Sequence, residues 1–280
     1  MISARALNCL LVATSLAAAA PGAKQDVVVI GGALTEIVYA LGVAERIAAT
    51  DTTSTFPQAA SATPKVGYQR ALNSEGVLAM KPSLVIAAHE AGPPDAIAQI
   101  KAAGVEFAQL PGEFTFDAAR AKVKRIGALL DREQEAAALD KKLVADWEQA
   151  QSSVARYMGK PRVLFILGHA GPMHVAGNHT AADAMIRYAG GVNALSSFSG
   201  YKPLAPEAVV AVAPEVILTT TQGVEAQGGV QSLLEQPGIA LTAAAKNKRV
   251  VVMDALALLG FGPRLPQVVR ELARQLHEGL

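Results

Sequence analysis

Short apolar runs alternate along the chain with segments whose apolar residues have helical spacing. Residues 27–30, 84–88 and 163–168 predict buried strands. The first two runs are followed by predicted helices at 34–42 and 93–104, one with a glycine stop and one opened by two prolines. Strands that alternate with helices favour parallel sheets covered by helices. The pattern therefore predicts an α/β protein.

A proline-free stretch from 117 to 157 is rich in Ala, Leu, Glu, Lys and Arg, which all favour helix. Gly127 and the charged cluster at 131–133 predict one break, so that a second helix runs from Asp131 to Tyr157. A helix of about 25 residues, at 1.5 Å per residue, is about 38 Å long, enough to connect two lobes.

The predicted organisation therefore has three parts after the N-terminal segment. An N-terminal α/β lobe occupies residues 24–130, an interlobe helix residues 131–158, and a C-terminal α/β lobe residues 159–280. We expect each lobe to be Rossmann-like, with a parallel sheet.

An internal repeat supports two related lobes. The sequence at 72–86 is matched at 204–218, which is 132 positions later, and a Gly-Tyr pair stands just before each copy. Both copies predict a helix with a glutamate in its first turn, Glu75 and Glu207, then a proline and a strand. The alternative is that short amphipathic helices followed by strands look alike by chance. The repeated Gly-Tyr pair favours duplication.

The first 23 residues have the layout of a secretory signal peptide. Arg5 precedes an apolar run from Ala6 to Ala20 that ends in small residues. This run is about 15 residues long, and a stable bilayer span needs roughly 20. The only cysteine, Cys9, lies within it, which excludes a disulfide framework and leaves a poor lipobox. We expect an exported, monomeric protein.

Charge and motifs exclude several classes of function. The 25 Lys and Arg residues against 24 Asp and Glu residues give a net charge of +1 without a basic run, so nucleic acid is not an expected partner. A nucleotide-binding α/β enzyme is the alternative from a different class, because Gly31-Gly32 follows the first strand. The loop GGALTE, however, lacks G-x-G-x-x-G, and no P-loop lysine pattern occurs. The protein is therefore not expected to be an enzyme.

The two lobes predict a cleft that holds a ligand. Ligands of open α/β sheets lie outside the carboxyl ends of the strands. Here those ends are at 31–33, 88–92, 168–171 and 219–223, with Tyr68 and Tyr201 in nearby loops. The five histidines are scattered, which argues against a carrier of free zinc or manganese.

Several segments resemble the haem-binding periplasmic proteins of bacterial haem ABC importers. These segments are VGYQRALNSEGVLAM at 66–80, HEAGPP at 89–94, AGNHTAADAMIRYAGG at 176–191, YKPL at 201–204 and LGFGPR at 259–264. The resemblance covers residues 26–280 and implies a class III periplasmic binding protein that delivers haem to a membrane permease and its ATPase. A ferric-siderophore or cobalamin carrier of the same class is the alternative.

In that family the tyrosine of the Gly-Tyr-x-Arg motif ligates the haem iron, which implies Tyr68 as the metal ligand here. Ferric iron is a hard acid and phenolate is a hard oxygen donor. A free phenol has a pKa of about 10, so iron must displace its proton near neutral pH. Arg70, two residues later, is expected to hold the phenolate by charge and hydrogen bonding.

The resemblance also points to further cleft residues. His169 is a candidate second axial ligand, because it follows the first strand of the second lobe and imidazole ligates haem; a hydrogen-bonded loop histidine is the alternative. Expected contacts to the propionates and faces of haem come from Arg70, Lys202, Arg264, Tyr201 and Phe261. A structural ion pair is the alternative for Arg264, and a core position is the alternative for Phe261.

Glu75 and Glu207 occupy matching positions in the two predicted lobes. In the family that the chain resembles, such paired glutamates dock on arginines of the permease, and two carboxylates on separate lobes can report cleft closure. The alternative is a glutamate in a first helical turn, which the helix dipole stabilises by about 0.3–1 kcal/mol.

Overall fold

The computed structural model describes residues 26–168 and 172–278. The predicted signal peptide at 1–23, with Cys9, lies outside these residues. No helix in the described part of the chain is both long and apolar enough to cross a bilayer.

The first half of the chain forms a four-stranded sheet with five helices. Its strands are β1 (Val27–Ile30), β2 (Ile47–Thr50), β3 (Leu84–Ala87) and β4 (Glu106–Gln109). Its helices are α1 (Gly32–Ala40), α2 (Gln58–Ser61), α3 (Ser74–Ala79), α4 (Pro94–Ala102) and α5 (Phe116–Leu129). The strand order is β2-β1-β3-β4 and all neighbours are parallel. β1, β2 and β3 are buried along their whole length because helices cover both faces of the sheet.

The second half forms a six-stranded sheet. Its strands are β5 (Arg162–Leu167), β6 (His174–Ala176), β7 (Val192–Asn193), β8 (Tyr201–Pro203), β9 (Val216–Thr220) and β10 (Val250–Met253). Four of them, in the order β7-β5-β9-β10, are parallel and repeat the order of the first sheet. β6 runs antiparallel to the end of β5, and β8 runs antiparallel to β6. The prediction of two parallel sheets is therefore correct for the first sheet, whereas the second is mixed.

The helices of the second half are α7 (Ala181–Tyr188), α8 (Pro206–Val212), α9 (Thr221–Ala226), α10 (Val230–Leu234), α11 (Ala243–Lys246), α12 (Ala255–Leu259) and α13 (Leu265–His277). The elements follow the predicted repeat, since α3 and α8 begin at positions 74 and 206, and β3 and β9 at positions 84 and 216. Within each pair, the two elements begin 132 positions apart.

A 22-residue helix, α6 (Glu133–Val154), stands between the two halves. Its buried residues Ala136, Leu143 and Ala150 are seven positions apart, so they form one stripe along the helix. Ala136 and Leu143 pack into the core around β1 and α5, whereas Ala150 packs into the core around β5 and α13. α6 therefore belongs to both cores. The α/β fold class with a long connecting helix is confirmed, and the lobe boundaries at 130 and 158 stay a prediction.

The break between α5 and α6 depends on Gly127. A Cβ atom at this position would lie 2.4 Å from the Cβ of Ala136 and 3.0 Å from the carbonyl oxygen of Arg132. The Arg132 amide also donates to the Gly127 carbonyl at 2.8 Å, which closes the turn. Only glycine allows the two helices to approach this closely.

We predict that Gly127→Ala lowers the free energy of unfolding by about 1–3 kcal/mol, because the added methyl group forces α5 and α6 apart. Gly76→Ala is the matched control, since Gly76 lies within α3 and a Cβ atom there meets nothing within 4 Å. That control should be neutral or more stable by about 0.4–1 kcal/mol. Urea unfolding measures both, and equal stabilities of the two variants would contradict this account of the junction.

Candidate functional site

The loop that carries Tyr68 and Arg70 is clamped at the carboxyl edge of the first sheet. The Thr52 amide, after β2, donates to the Gly67 carbonyl at 2.9 Å. The Gly92 amide, in the loop that follows β3, donates to the Gln69 carbonyl at 2.9 Å. Two strand-end loops therefore fix the GYQR segment from both sides, and Gly67 supplies the positive φ of 99° that the turn requires.

Tyr68 and Arg70 contact each other on the surface of this loop. The Arg70 Nη1 atom donates a hydrogen bond to the Tyr68 Oη atom at 2.9 Å. Tyr68 is 42% exposed, so its phenol is accessible to a ligand. A guanidinium donor at a phenolic oxygen stabilises negative charge on that oxygen when a metal ion replaces the proton.

Tyr201, the first residue of β8, is the candidate cleft residue from the second half of the chain. Burial raises the pKa of the Tyr201 phenol above its ordinary value, while hydrogen bonds from the Thr180 side chain and the Ala182 backbone and the positive charge of Arg70 oppose this rise. Its ring also lies edge-on to Phe165, at 6.5 Å between centroids. The structure joins Tyr68 to Arg70 by a hydrogen bond, and the positive charge of Arg70 acts on the Tyr201 phenol. That these three side chains contact one ligand stays a prediction.

Lys202 is exposed and follows Tyr201 in β8, so the two side chains point to opposite faces of the strand. Its Nζ atom lies 4.7 Å from the centroid of the Phe198 ring. This cation–π contact gives Lys202 an aromatic partner within its own half of the protein.

Arg264 and Phe261 have partners within the protein, which are the alternatives that the sequence left open for them. Arg264 Nη2 and Nε donate to the two carboxylate oxygens of Glu36 at 2.6 and 2.8 Å, which is the structural ion pair considered as its alternative. Phe261 is 1% exposed and packs against Phe114 and Tyr188. This burial places Phe261 in the core and argues against a stacking role, because no face of its ring is free.

His169 lies outside the described residues, together with 170 and 171, so its predicted role as a second ligand stays a prediction. Within the residues that are described, no group of three or more His, Cys, Asp or Glu side chains could hold a metal ion. A haem iron does not need such a group, because the porphyrin supplies four donors and the protein one or two.

Glu75 and Glu207 are the second residues of α3 and α8, and both are exposed. Asn73 caps α3 by accepting a hydrogen bond from the Glu75 amide at 2.9 Å, whereas α8 begins with Pro206 and has no side-chain cap. Neither glutamate forms an ion pair in the part of the chain that the structure covers. Both carboxylates are therefore available to a partner.

A nucleotide phosphate has no place at the start of α1, because the Asp51 carboxylate occupies it. Asp51 is fully buried and accepts a hydrogen bond from the Gly31 amide at 2.8 Å. It also accepts hydrogen bonds from the Thr53 amide and hydroxyl and from the Ser54 hydroxyl. In nucleotide-binding folds, the free amides of this turn bind phosphate. The enzyme alternative therefore lacks a phosphate-binding site. The sequence pattern gives no sign that Asp51 fills this turn, because Asp51 lies 20 positions from Gly31.

A depression of about 630 Å³ lies between α5 and α6, and neither Tyr68 nor Tyr201 lines it. It is lined by Arg120, Lys124 and Asp140, among others. A hydrogen bond from Arg120 is the main cause that lowers the pKa of Asp140, and Lys124 adds to the effect. Arg120, Lys124 and Asp140 therefore pair with one another rather than with a ligand.

Two α/β halves, a long helix between them and an exposed tyrosine in each half are the features of a substrate-binding protein with a cleft. The sequence profile described as Periplasmic binding protein matches residues 27–257. The chain belongs to this family.

Solved structures of haem-binding members are similar to this chain. The periplasmic heme-binding protein BhuT in complex with two hemes is 49% identical, with a TM-score of 0.87 over 90% of this chain and 98% of that chain. RhuT, a periplasmic heme-binding protein from Roseiflexus sp. RS-1, is 37% identical in its apo form, with a TM-score of 0.89 over 91% and 99%. The resemblance stated from the sequence motifs is thereby confirmed.

Curated relatives are more distant. An uncharacterized ABC transporter substrate-binding lipoprotein, YvrC of Bacillus subtilis, is 29% identical over 87% of this chain and 77% of its own length. A vitamin B12-binding protein of Yersinia pestis is 24% identical over 81% and 79%. These relatives are transport proteins rather than enzymes.

We predict that Asp51→Asn lowers the free energy of unfolding by about 1–3 kcal/mol, because an amide cannot accept all four of the hydrogen bonds that the carboxylate accepts. Asp95→Asn is the matched control, since Asp95 is an exposed first-turn residue of α4 and should cost no more than about 0.3–1 kcal/mol. Thermal unfolding at matched pH measures both. An Asp51→Asn effect as small as the control would show that the buried carboxylate does not hold the turn.

Proposed function

We propose that this protein binds haem in the cleft between its two halves and delivers it to an ABC importer. Tyr68 is the iron ligand in this proposal, as a phenolate. The observation that carries the proposal is the hydrogen bond from Arg70 to the Tyr68 oxygen, on an exposed loop that is itself rigidly held.

The chemistry of the cleft suits haem. A hard phenolate oxygen matches ferric iron, and Arg70 supplies positive charge beside it. Tyr201 offers an aromatic face from the opposite half of the protein, and it is 39% exposed even though its hydroxyl is buried. Lys202 is exposed and stays a candidate for a propionate contact, whereas Arg264 and Phe261 leave the proposed set. His169 stays the proposed second axial ligand.

The comparisons support haem over the other cargoes of the class. The two haem-binding structures are 49% and 37% identical to this chain, and the vitamin B12-binding relative is 24% identical. Cobalamin stays the second candidate because of that relative. The BhuT structure holds two hemes. A haemin titration of this protein determines whether each chain binds one or two haem molecules.

Delivery rests on export and on docking. Residues 1–23 are proposed as the signal peptide that directs a monomeric protein to the periplasm. Glu75 and Glu207 are proposed to dock on the importer, because they are exposed carboxylates at equivalent positions of the two repeats. A surface that uses one charge from each half senses how the halves are arranged.

We expect ferric haemin to give the wild-type protein a Soret band and a phenolate-to-iron charge-transfer band. Tyr68→Phe should abolish the charge-transfer band, because it removes only the ligating oxygen. Affinity should fall by at least the roughly 10–100-fold that loss of an outer-shell partner costs a metal site. Absorption titration measures both quantities.

Tyr157→Phe is the matched control, since Tyr157 is 37% exposed but lies against His277 at the end of α13. It should leave the haemin spectrum unchanged. A Tyr68→Phe variant with the wild-type charge-transfer band would exclude Tyr68 as the ligand. Tight binding of cyanocobalamin without haemin binding would instead favour the second candidate.

We expect a Glu75→Ala and Glu207→Ala double variant to bind haemin normally and to lose stimulation of ATP hydrolysis by the importer in reconstituted vesicles. The reason is that docking charges lie outside the cleft. Glu106→Ala with Glu225→Ala changes the net charge equally, again with one exposed residue in each half, and serves as the control. Full stimulation by the Glu75 and Glu207 variant would refute the docking role.

A further inference from the structure

A second connection joins the two halves of the protein in addition to α6. Glu36 lies in α1 of the first half, and Arg264 lies immediately before α13 of the second, 228 positions later. The guanidinium forms two hydrogen bonds to the carboxylate, at 2.6 and 2.8 Å. The Glu36 side chain is 5% exposed and that of Arg264 is 24% exposed. Bidentate geometry and partial burial make this pair directional and stronger than a surface ion pair.

Phe56 completes the contact from the loop after β2. The Arg264 guanidinium lies 3.9 Å from the centroid of the Phe56 ring. The carboxylate and the ring therefore hold two sides of one cation, and both belong to the first half of the chain. Asp254, which caps α12, is the other charged group near enough to act on Glu36 and Arg264.

Glycines allow close packing of the two halves beside this ion pair. A Cβ atom at Gly32 would lie 2.7 Å from the Leu256 Cδ1 atom of α12. Cβ atoms at Gly260 and Gly262 would each lie 3.4 Å from the Cβ of Ala33. Such contacts leave little room for sliding, so the ion pair sits at the edge of a tightly packed interface.

From this geometry we infer that Glu36, Arg264 and Phe56 form an interlobe brace that fixes the separation of the two halves before a ligand binds. In the described residues the chain crosses between the two sheets once, through α6. Apolar contacts between the halves, such as Phe114 against Phe261, hold the halves together but are not directional. The bidentate ion pair is directional, and it opposes rotation of one half against the other because rotation would pull the guanidinium off the carboxylate.

The brace makes Glu36 and Arg264 positioning residues for the cleft. α1 begins at the carboxyl end of β1, so Glu36 lies about one turn of helix below the sheet edge that carries the Tyr68 loop. A fixed separation of the two halves keeps Tyr68 and Tyr201 at the distance that the ligand requires. The link from cleft width to haem affinity rests on the proposed function, whereas the brace itself does not.

Nitroxide labels at Ala102→Cys in α4 and Ala243→Cys in α11, both exposed positions, report the interlobe distance in a Cys9→Ser background. Double electron–electron resonance should give a narrow distance distribution without ligand, and haemin should leave it unchanged. Arg264→Gln should broaden the distribution. If only a tenth of the Arg264→Gln molecules keeps the interlobe distance that binds haemin, the apparent Kd of this variant for haemin rises roughly tenfold.

Arg274→Gln is the matched control, because Arg274 forms an equivalent bidentate pair with Glu271 inside α13 alone. This variant should keep the narrow distribution. The exchanged pair Glu36→Arg with Arg264→Glu should narrow the distribution again, although the contact with Phe56 is lost. If Arg264→Gln does not fold, Arg264→Lys keeps the charge without the bidentate geometry and should give an intermediate width.

A narrow distribution in Arg264→Gln overturns the brace. If haemin affinity falls in that variant while the distribution stays narrow, Arg264 contacts the ligand directly and the brace is again overturned. A broadened distribution in a protein that binds no haemin in any form supports the brace and refutes the proposed function instead.

Discussion

The fold depends on how the turn between β1 and α1 is held. Asp51 fills the position where a nucleotide-binding fold would place a phosphate, and it fixes the Gly31 amide by a buried hydrogen bond at 2.8 Å. The absence of a side chain at Gly32 then allows Leu256 of the second half to close on the turn. One helical turn later, Glu36 reaches Arg264. These residues therefore exclude a nucleotide phosphate from the turn. They also form part of the interface between the two halves, which supports the proposed haem cleft.

The candidate cleft groups come from both halves of the chain. The loop that carries Tyr68 is tied to the loops that follow β2 and β3, and Tyr201 is tied to the start of α7. Arg70 donates a hydrogen bond to the Tyr68 phenol, and its charge acts on the Tyr201 phenol. A site built in this way from rigid parts needs little rearrangement to bind a flat, rigid ligand, which favours affinity because less order has to be gained on binding.

Much of the fold was predictable because its signals are local. The buried runs at β1, β3 and β5, the glycine break before α6 and the repeat at 132 positions all appear in the structure. The antiparallel strands β6 and β8 were not predictable, since three residues are too few to show a period.

The site was predictable only in part, because only some of its contacts are between residues close together in the sequence. The spacing of Tyr68 and Arg70 is visible in the sequence, and the structure joins them by a hydrogen bond. The roles of Arg264 and Phe261 depend on partners far away in the chain, and a charge or a ring in a glycine-rich loop looks the same whether it faces a ligand or a core.

The central claim is that a tyrosinate of the first half binds ferric haem, and the visible spectrum of the protein isolated from haem-supplied cells tests it most directly. The account predicts a coloured protein with a Soret band and a phenolate charge-transfer band. A colourless protein that stays unchanged when haemin is added would contradict it.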